Sequence, residues 1–193
     1  MKYVFDFLFS FFAIILLAPV LAILSLLMLM TQGSPILFCQ KRLGLAGKKF
    51  TLYKFRTMKV GPSISSIDDE NRLTKIGRFL RKTSLDELPT FFNVLLGDMS
   101  IVGPRPLLVK YSERYTSFQA RRHEVKPGIT GLAQVKGRNA LSWKNKFRYD
   151  IFYVDKHNIL FDIRIIFFTI FIVFMKKGVS PIQNEITPEF KID

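Results

Sequence analysis

Two adjacent carboxylates, Asp86 and Glu87, follow two cations in the run Arg81-Lys82-Thr83-Ser84-Leu85-Asp86-Glu87-Leu88-Pro89. Paired acids beside cations suit phosphoryl chemistry, because one carboxylate can attack phosphorus while the other holds Mg²⁺. The same residues also spell a structural device. Ser84-x-x-Glu87 has capping-box spacing, and acids in a first helical turn suit the helix dipole. Pro89 works against that device: at the fifth helical position it deletes the bond to Leu85, so a kink or a helix restart is needed. Both readings stand at this level.

Other cations could serve the same chemistry. In Gly103-Pro104-Arg105-Pro106 two prolines restrict the backbone around one arginine. That preorganises a guanidinium, the group best shaped for bidentate phosphate contact. Lys54 and Arg56 alternate onto one face of a predicted strand over 50–58, as a phosphate grip or as a solvated strand face. Lys126-Pro127-Gly128-Ile129-Thr130-Gly131 and Gly137-Arg138-Asn139 supply two more loops, the second with a cation at its tip. The acids Asp68, Asp69 and Glu70 could bind a cation but read more simply as a solvated charge run. Residues 44–49 contain glycine and lysine at the wrong spacing for a P-loop, and no Asp-x-Asp occurs.

Composition narrows the chemistry. A single cysteine, Cys39, excludes an intrachain disulfide framework, and two histidines, His123 and His157, speak against a zinc cluster. Any metal must be held by hard oxygen ligands. The chain has 193 residues and a net charge of +14, all of it beyond residue 30, because Lys2 and Asp6 cancel. A cationic body of this kind seeks anions: nucleic acid, lipid phosphates or a phosphorylated small molecule.

Several elements must position these groups. Residues 7–30 carry no charge and would make a helix of roughly 36 Å, enough to cross a hydrocarbon core of about 30 Å. Pro19 sits at its middle. The stretch is therefore a kinked span or a re-entrant hairpin, and the basic residues that follow place the body in the cytoplasm either way. The body is predicted mainly α with a small β-hairpin: strands over 36–40 and 50–58, and helices over 73–81, 89–96, 110–124 and 143–155. In the helix over 73–81, Ile76, Phe79 and Leu80 are expected inward. The apolar run 165–175 is too short to span and is expected as an interfacial or a core helix.

Taken together, Lys54-Phe55-Arg56-Thr57-Met58, Ser84-Leu85-Asp86-Glu87-Leu88-Pro89, Phe92-Asn93-Val94-Leu95, Gly97-Asp98-Met99-Ser100, Val102-Gly103-Pro104-Arg105-Pro106, Lys126-Pro127-Gly128-Ile129-Thr130-Gly131 and Gly137-Arg138-Asn139 resemble the bacterial sugar transferases. These are monotopic polyprenol-phosphate phosphoglycosyl transferases, and the short build looks like their minimal, bacillosamine-type members. The resemblance implies transfer of a phosphosugar from a UDP-sugar to a polyprenol phosphate, usually undecaprenyl phosphate, with release of UMP. It implies Asp86 as a nucleophile that forms a covalent phosphosugar intermediate. Glu87, with Asp86 beside it, is implied as the site of Mg²⁺ (or Mn²⁺), and Lys54, Arg56, Arg81, Arg105 and Arg138 as phosphate-binding. It further implies a re-entrant membrane helix over 1–31, broken near Ala18-Pro19 where the family has Ser-Pro. A catalytic domain with amphipathic interfacial helices would follow over 32–193, at the cytoplasmic face of a bacterial inner membrane. Membrane lipids are then partners and nucleic acid is not. A membrane-tethered cationic module for nucleic acid or anionic lipid is the alternative, and it would leave Asp86 and Glu87 as a mere capping turn. Which sugar is carried, the pathway and the oligomeric state are not written in these motifs.

Overall fold

The computed structural model describes residues 1–61, 72–137, 140–175 and 190. Arg138, Asn139 and the acids at 68–70 lie outside the described residues. The chain begins with α1 (Lys2–Gln32), in which helical geometry continues on both sides of Pro19. An antiparallel hairpin follows, β1 (Leu37–Leu43) and β2 (Lys49–Phe55), with Leu37 opposite Phe55 and Leu43 opposite Lys49. Next come α2 (Lys75–Thr83), a 3₁₀ turn at Leu85–Glu87, and α3 (Thr90–Leu95). β3 (Ser100–Val102) pairs in parallel with β4 (Gly128–Thr130). Between them lie a 3₁₀ turn at Val109–Arg114, the short α4 (Ser117–Ala120) and a 3₁₀ turn at Arg121–Glu124. The body closes with α5 (Leu132–Lys136), α6 (Trp143–Lys156) and α7 (Ile159–Phe174).

The mainly helical body and its hairpin agree with the sequence pattern, but several details differ. The single helix expected over 110–124 is three short pieces. Tyr115 and Thr116 are extended, and Thr116 forms a capping box with Gln119, which starts a new helix there. The second strand stops at Phe55, after which the Arg56 N–H bonds the Ile36 carbonyl. Phe79, expected inward, is 56% exposed, while Leu80 is buried and Ile76 packs beside it as expected. The parallel β3–β4 pair had no sequence signal, since each strand is only three residues long.

Three buried clusters organise the chain. The main one joins Phe50 and Leu52 of the hairpin to Val94, Met99, Ile101, Val102, Leu132, Tyr153 and Ile165. A second joins Leu24 and Met28 of α1 to Phe55 and Leu80. The third packs Tyr111 and Phe147 around Phe190. Burial of this apolar surface is the main driving force for the body's packing.

α1 is tied to the body at both ends. Near its start Lys2 pairs with the buried Asp162, and Asp6 accepts the Ile101 N–H. Near its end the buried Arg56 donates to the Gln32 and Gly33 carbonyls, the unsatisfied C-terminal acceptors of the helix. Its buried residues, Asp6, Ser10, Leu24 and Met28, lie on one stripe, since Asp6 and Leu24 are about five turns apart. Pro19 is exposed, half a turn off that stripe.

Candidate active site

The acidic pair sits on a turn rather than in a helix. α2 ends at Thr83, and Ser84 turns the chain in the left-handed region at φ 58°, ψ 16°. A non-glycine residue there costs about 1–3 kcal/mol and persists only when its surroundings hold it. The Ser84 side chain makes no cap bond, so the capping box suggested by spacing is not formed. Pro89 resolves its own conflict by standing as the residue before α3, which is the helix restart its position required.

Side chains of α3 fasten this turn to the hairpin. Thr90 Oγ1 donates to the Tyr53 carbonyl at 3.1 Å. The fully buried Asn93 donates to the Thr51 carbonyl at 2.7 Å and accepts the Tyr53 N–H at 3.0 Å. Asn93 thereby does for the edge of β2 what a neighbouring strand would do. Lys54, next along β2, is brought to Glu87, with Nζ 2.5 Å from Oε1.

Arg105 reaches the same oxygen from the other side, at 3.1 Å. Its loop is held by close backbone packing. A Cβ on Gly128 would fall 2.1 Å from the Gly103 nitrogen, and one on Gly131 2.1 Å from the Gly103 oxygen, so only glycine fits either place. Below the loop Arg122 pairs with Asp150 at 2.8 Å, both buried, and donates to the Arg105 carbonyl at 2.7 Å. Arg81 Nε donates to Thr57 Oγ1 at 3.0 Å. A groove of about 1480 Å³ is lined by Lys54, Arg56, Arg81, Asp86, Glu87 and Arg105 among others.

The structure therefore brings Lys54, Arg81, Asp86, Glu87 and Arg105 together. Arg56 also lines the groove, but it is buried and its Nη2 is taken by the end of α1. Ala18 and Pro19 are exposed on α1, away from this turn. Residues that sequence reasoning missed are those that position the site: Asn93, Thr57, Arg122 and Asp150. Asn93 and Thr57 lay inside the recognised motifs, and Arg122 and Asp150 had no such signal.

The two carboxyls are pushed apart electrostatically. Burial and the adjacent Glu87 charge raise Asp86 to about 6, against the pull of Lys54, Arg81 and Arg105. Burial also opposes the charge on Glu87, but Lys54 and Arg105 together outweigh it and hold Glu87 down at about 2. Lys54 is lowered by burial, less so for its contact with Glu87. Arg105 is raised by Glu87. Glu87 is thus a fixed anion clasped by two cations, and Asp86 is an under-compensated carboxylate beside it. Asp86, which carries no hydrogen bond among the described residues, and Oε2 of Glu87 offer hard oxygen donors. Among the described residues no three His, Cys, Asp or Glu side chains converge on a metal-sized space. Two carboxylates completed by substrate phosphate oxygens and water fit Mg²⁺, which rarely takes an all-protein cage.

A family model described as bacterial sugar transferase matches residues 1–176. The chain is 54% identical to the uncharacterized sugar transferase EpsL of Bacillus subtilis over 159 residues, 81% of this chain and 78% of that protein. It is 41% identical to a UDP-glucose:undecaprenyl-phosphate glucose-1-phosphate transferase of Klebsiella pneumoniae over 90% of this chain and 40% of that protein. It is 36% identical to an undecaprenyl-phosphate galactose phosphotransferase of Salmonella typhimurium over 92% of this chain. The match spans 41% of that protein, so the chain covers less than half of both longer relatives.

Proposed function

The chain belongs to the bacterial sugar transferase family, and from that premise we propose that it moves a sugar 1-phosphate from a UDP-sugar to a polyprenol phosphate, with UMP released. Undecaprenyl phosphate is the acceptor that the names of two relatives give, and it is the acceptor proposed here. The observation that carries the reading is the split pair: Glu87 fixed as an anion by Lys54 and Arg105, and Asp86 beside it with its charge uncompensated. Asp86 is the proposed nucleophile and takes the phosphosugar as an acyl phosphate.

The chain's own groups serve that attack. The donor diphosphate is doubly anionic and would repel a carboxylate, so cations must meet it first. Arg81 and Arg105 flank Asp86, and Arg105 presents a planar fork from a loop locked by two prolines and the Arg122 contact. Lys54 keeps Glu87 ionised. Mg²⁺, held by Asp86 and Glu87 with the diphosphate, would supply further neutralisation of the leaving phosphate. Asp86 ionises above about pH 6, so the nucleophilic form dominates at neutral pH.

The membrane part of the proposal is re-entrant. What supports it is that α1 contacts the body at both ends, through Lys2 and Asp6 and again through Gln32 and Gly33. A spanning helix would leave one end across the bilayer. The bond that Pro19 cannot make lies on the face away from the body, so opening the helix there closes both arms toward it. The exposed Phe7, Phe11, Phe12 and Leu16 then face lipid, and the groove lies at headgroup level on the cytoplasmic face.

The test is a panel of UDP-sugars with undecaprenyl phosphate and Mg²⁺, read by UMP release. One sugar should give acceptor-dependent turnover. With that sugar and no acceptor, UMP should appear near stoichiometrically with enzyme, leaving a hydroxylamine-labile phosphosugar on the protein. Turnover without such a burst or adduct would remove the covalent role of Asp86.

A further inference from the structure

The row of cations in the groove does not end at Arg105. Arg42 and Gln40, both on β1, line the same groove. β1 runs beside the segment that follows Arg105: Arg42 bridges Leu108, and the Leu43 N–H donates to the Leu107 carbonyl at 3.3 Å. Arg42 is half-buried. Its Nη2 donates to Gln40 Oε1 at 2.5 Å, and its buried Nε has no hydrogen-bond partner. Among the described residues it makes no ion pair. Burial first and the nearby Arg105 charge second bring it down to about 10, against a smaller opposing effect of Tyr111.

Lys54 and Arg105 share Glu87, and Arg122 holds Asp150. Arg56 is buried beneath the groove floor with Nη2 on the end of α1, its Nε and Nη1 having no hydrogen-bond partner among the described residues, whereas Arg42 is only half-buried and so is the one within reach of a ligand. A half-buried guanidinium whose strongest charged neighbour is another arginine lacks an anion. We infer that Arg42 and Gln40 form a second anion subsite, which takes the nucleotide-side phosphate of the donor, the one that departs as UMP. This rests on the phosphoglycosyl transfer proposed above.

Order along the groove decides which phosphate it is. In the hairpin Lys54 stands opposite Phe38 and Arg42 opposite Phe50, four residues farther along, so Arg42 stands farther along the groove than the Lys54 that holds Glu87. Asp86 must meet the sugar-linked phosphorus. The next phosphate along then meets Arg42. In the step itself an Asp86 oxygen bonds the sugar-linked phosphorus, and the bond from that phosphorus to the bridging oxygen breaks. The electron pair stays on that oxygen, which leaves on UMP. The carboxylate's negative charge ends on the departing nucleotide, whose phosphate becomes a dianion, and no proton need move. A fork facing that oxygen stabilises charge where it develops. Gln40 Oε1 holds Arg42, and among the described residues nothing accepts from its amide N–H groups, which can donate to the same phosphate. The lipid phosphate does not suit this position, because it must reach the phosphorus carried on Asp86.

The test compares the wild-type protein with Arg42→Lys and Arg42→Gln in lipid nanodiscs with Mg²⁺. UMP is titrated by calorimetry, and a short-chain prenyl phosphate is titrated in parallel. Arg42→Gln should raise the Kd for UMP about 10- to 100-fold, the range for losing a charge-assisted contact. Arg42→Lys should fall between, and the prenyl phosphate Kd should not move. The thermal midpoint of Arg42→Gln should hold or rise, because the substitution removes a buried charge without an ion pair. An unchanged UMP Kd overturns the subsite, as does weakening confined to the prenyl phosphate. A lowered midpoint with both ligands lost overturns it too, in favour of a structural role. Wild-type protein that neither binds UMP nor releases it from any UDP-sugar overturns the transferase reading itself, a separate outcome.

Discussion

Replacing Asp86 by Asn should make the protein inactive and more stable at once. Asp86 is held at about 6 against an ordinary 3.8, chiefly by burial and by the Glu87 charge. The folded state then binds the proton more tightly than the unfolded chain does. Stability attached to this group is present below about pH 4 and lost as pH rises through 6. At 1.36 kcal/mol per pH unit the full penalty above pH 6 is roughly 3 kcal/mol, and partial solvent exposure trims it to about 1–2 kcal/mol. Glu87 has the opposite sign: held at about 2 against 4.5, it stabilises above its ordinary value and loses this only as pH falls toward 2. Asp86→Asn keeps the shape and removes only the penalised charge. Its thermal midpoint at pH 7.5 should exceed that of the wild type by roughly 2–8 °C for a chain of this length. The gap should close toward pH 4. Thermal scans of both proteins across pH 4–8 read this directly, with UMP release as the activity control. A gap that is negative, or flat with pH, would refute the claim that Asp86 carries an uncompensated charge.

Arg105→Lys keeps the charge but loses the fork, so kcat/KM should drop by about 10- to 100-fold with little change in thermal midpoint; near-normal turnover would take Arg105 out of the phosphate site. Asp150→Asn leaves Arg122 buried without its anion and should cost about 3–5 kcal/mol in denaturant unfolding, and a loss under about 1 kcal/mol would mean the pair is not buried as described. For topology, single cysteines at Val4 and Lys48 in a Cys39→Ser background should both resist an impermeant thiol reagent applied outside intact cells. Val4 and Lys48 are exposed and avoid the Lys2–Asp162 pair, and labelling at Val4 alone would sink the re-entrant arrangement.

The candidate site residues were legible in residue order alone. The Ser84-to-Pro89 run, the proline-flanked Arg105 and the alternation around Lys54 were visible because adjacent acids, paired prolines and period-two patterns are local signals. The apolar stretch with its central Pro19 was legible for the same reason. What each charge faces depends on the packing of distant segments. Lys54 and Arg56 share a strand face by the same alternation, yet one meets Glu87 and the other the end of α1, because α1 returns to the body beside Phe55 and Arg56. Ser84 fits a capping box by spacing, but packing of Leu80 and of α3 holds it in the left-handed region instead. Asn93, Asp150 and Arg42 owe their positions to segments tens of residues away. Their contacts are set by which elements pack together, and no local periodicity encodes that. Whether a buried carboxylate sits near pH 2 or near pH 6 depends on the cations and burial around it, so the difference between Asp86 and Glu87 arises only in the folded chain.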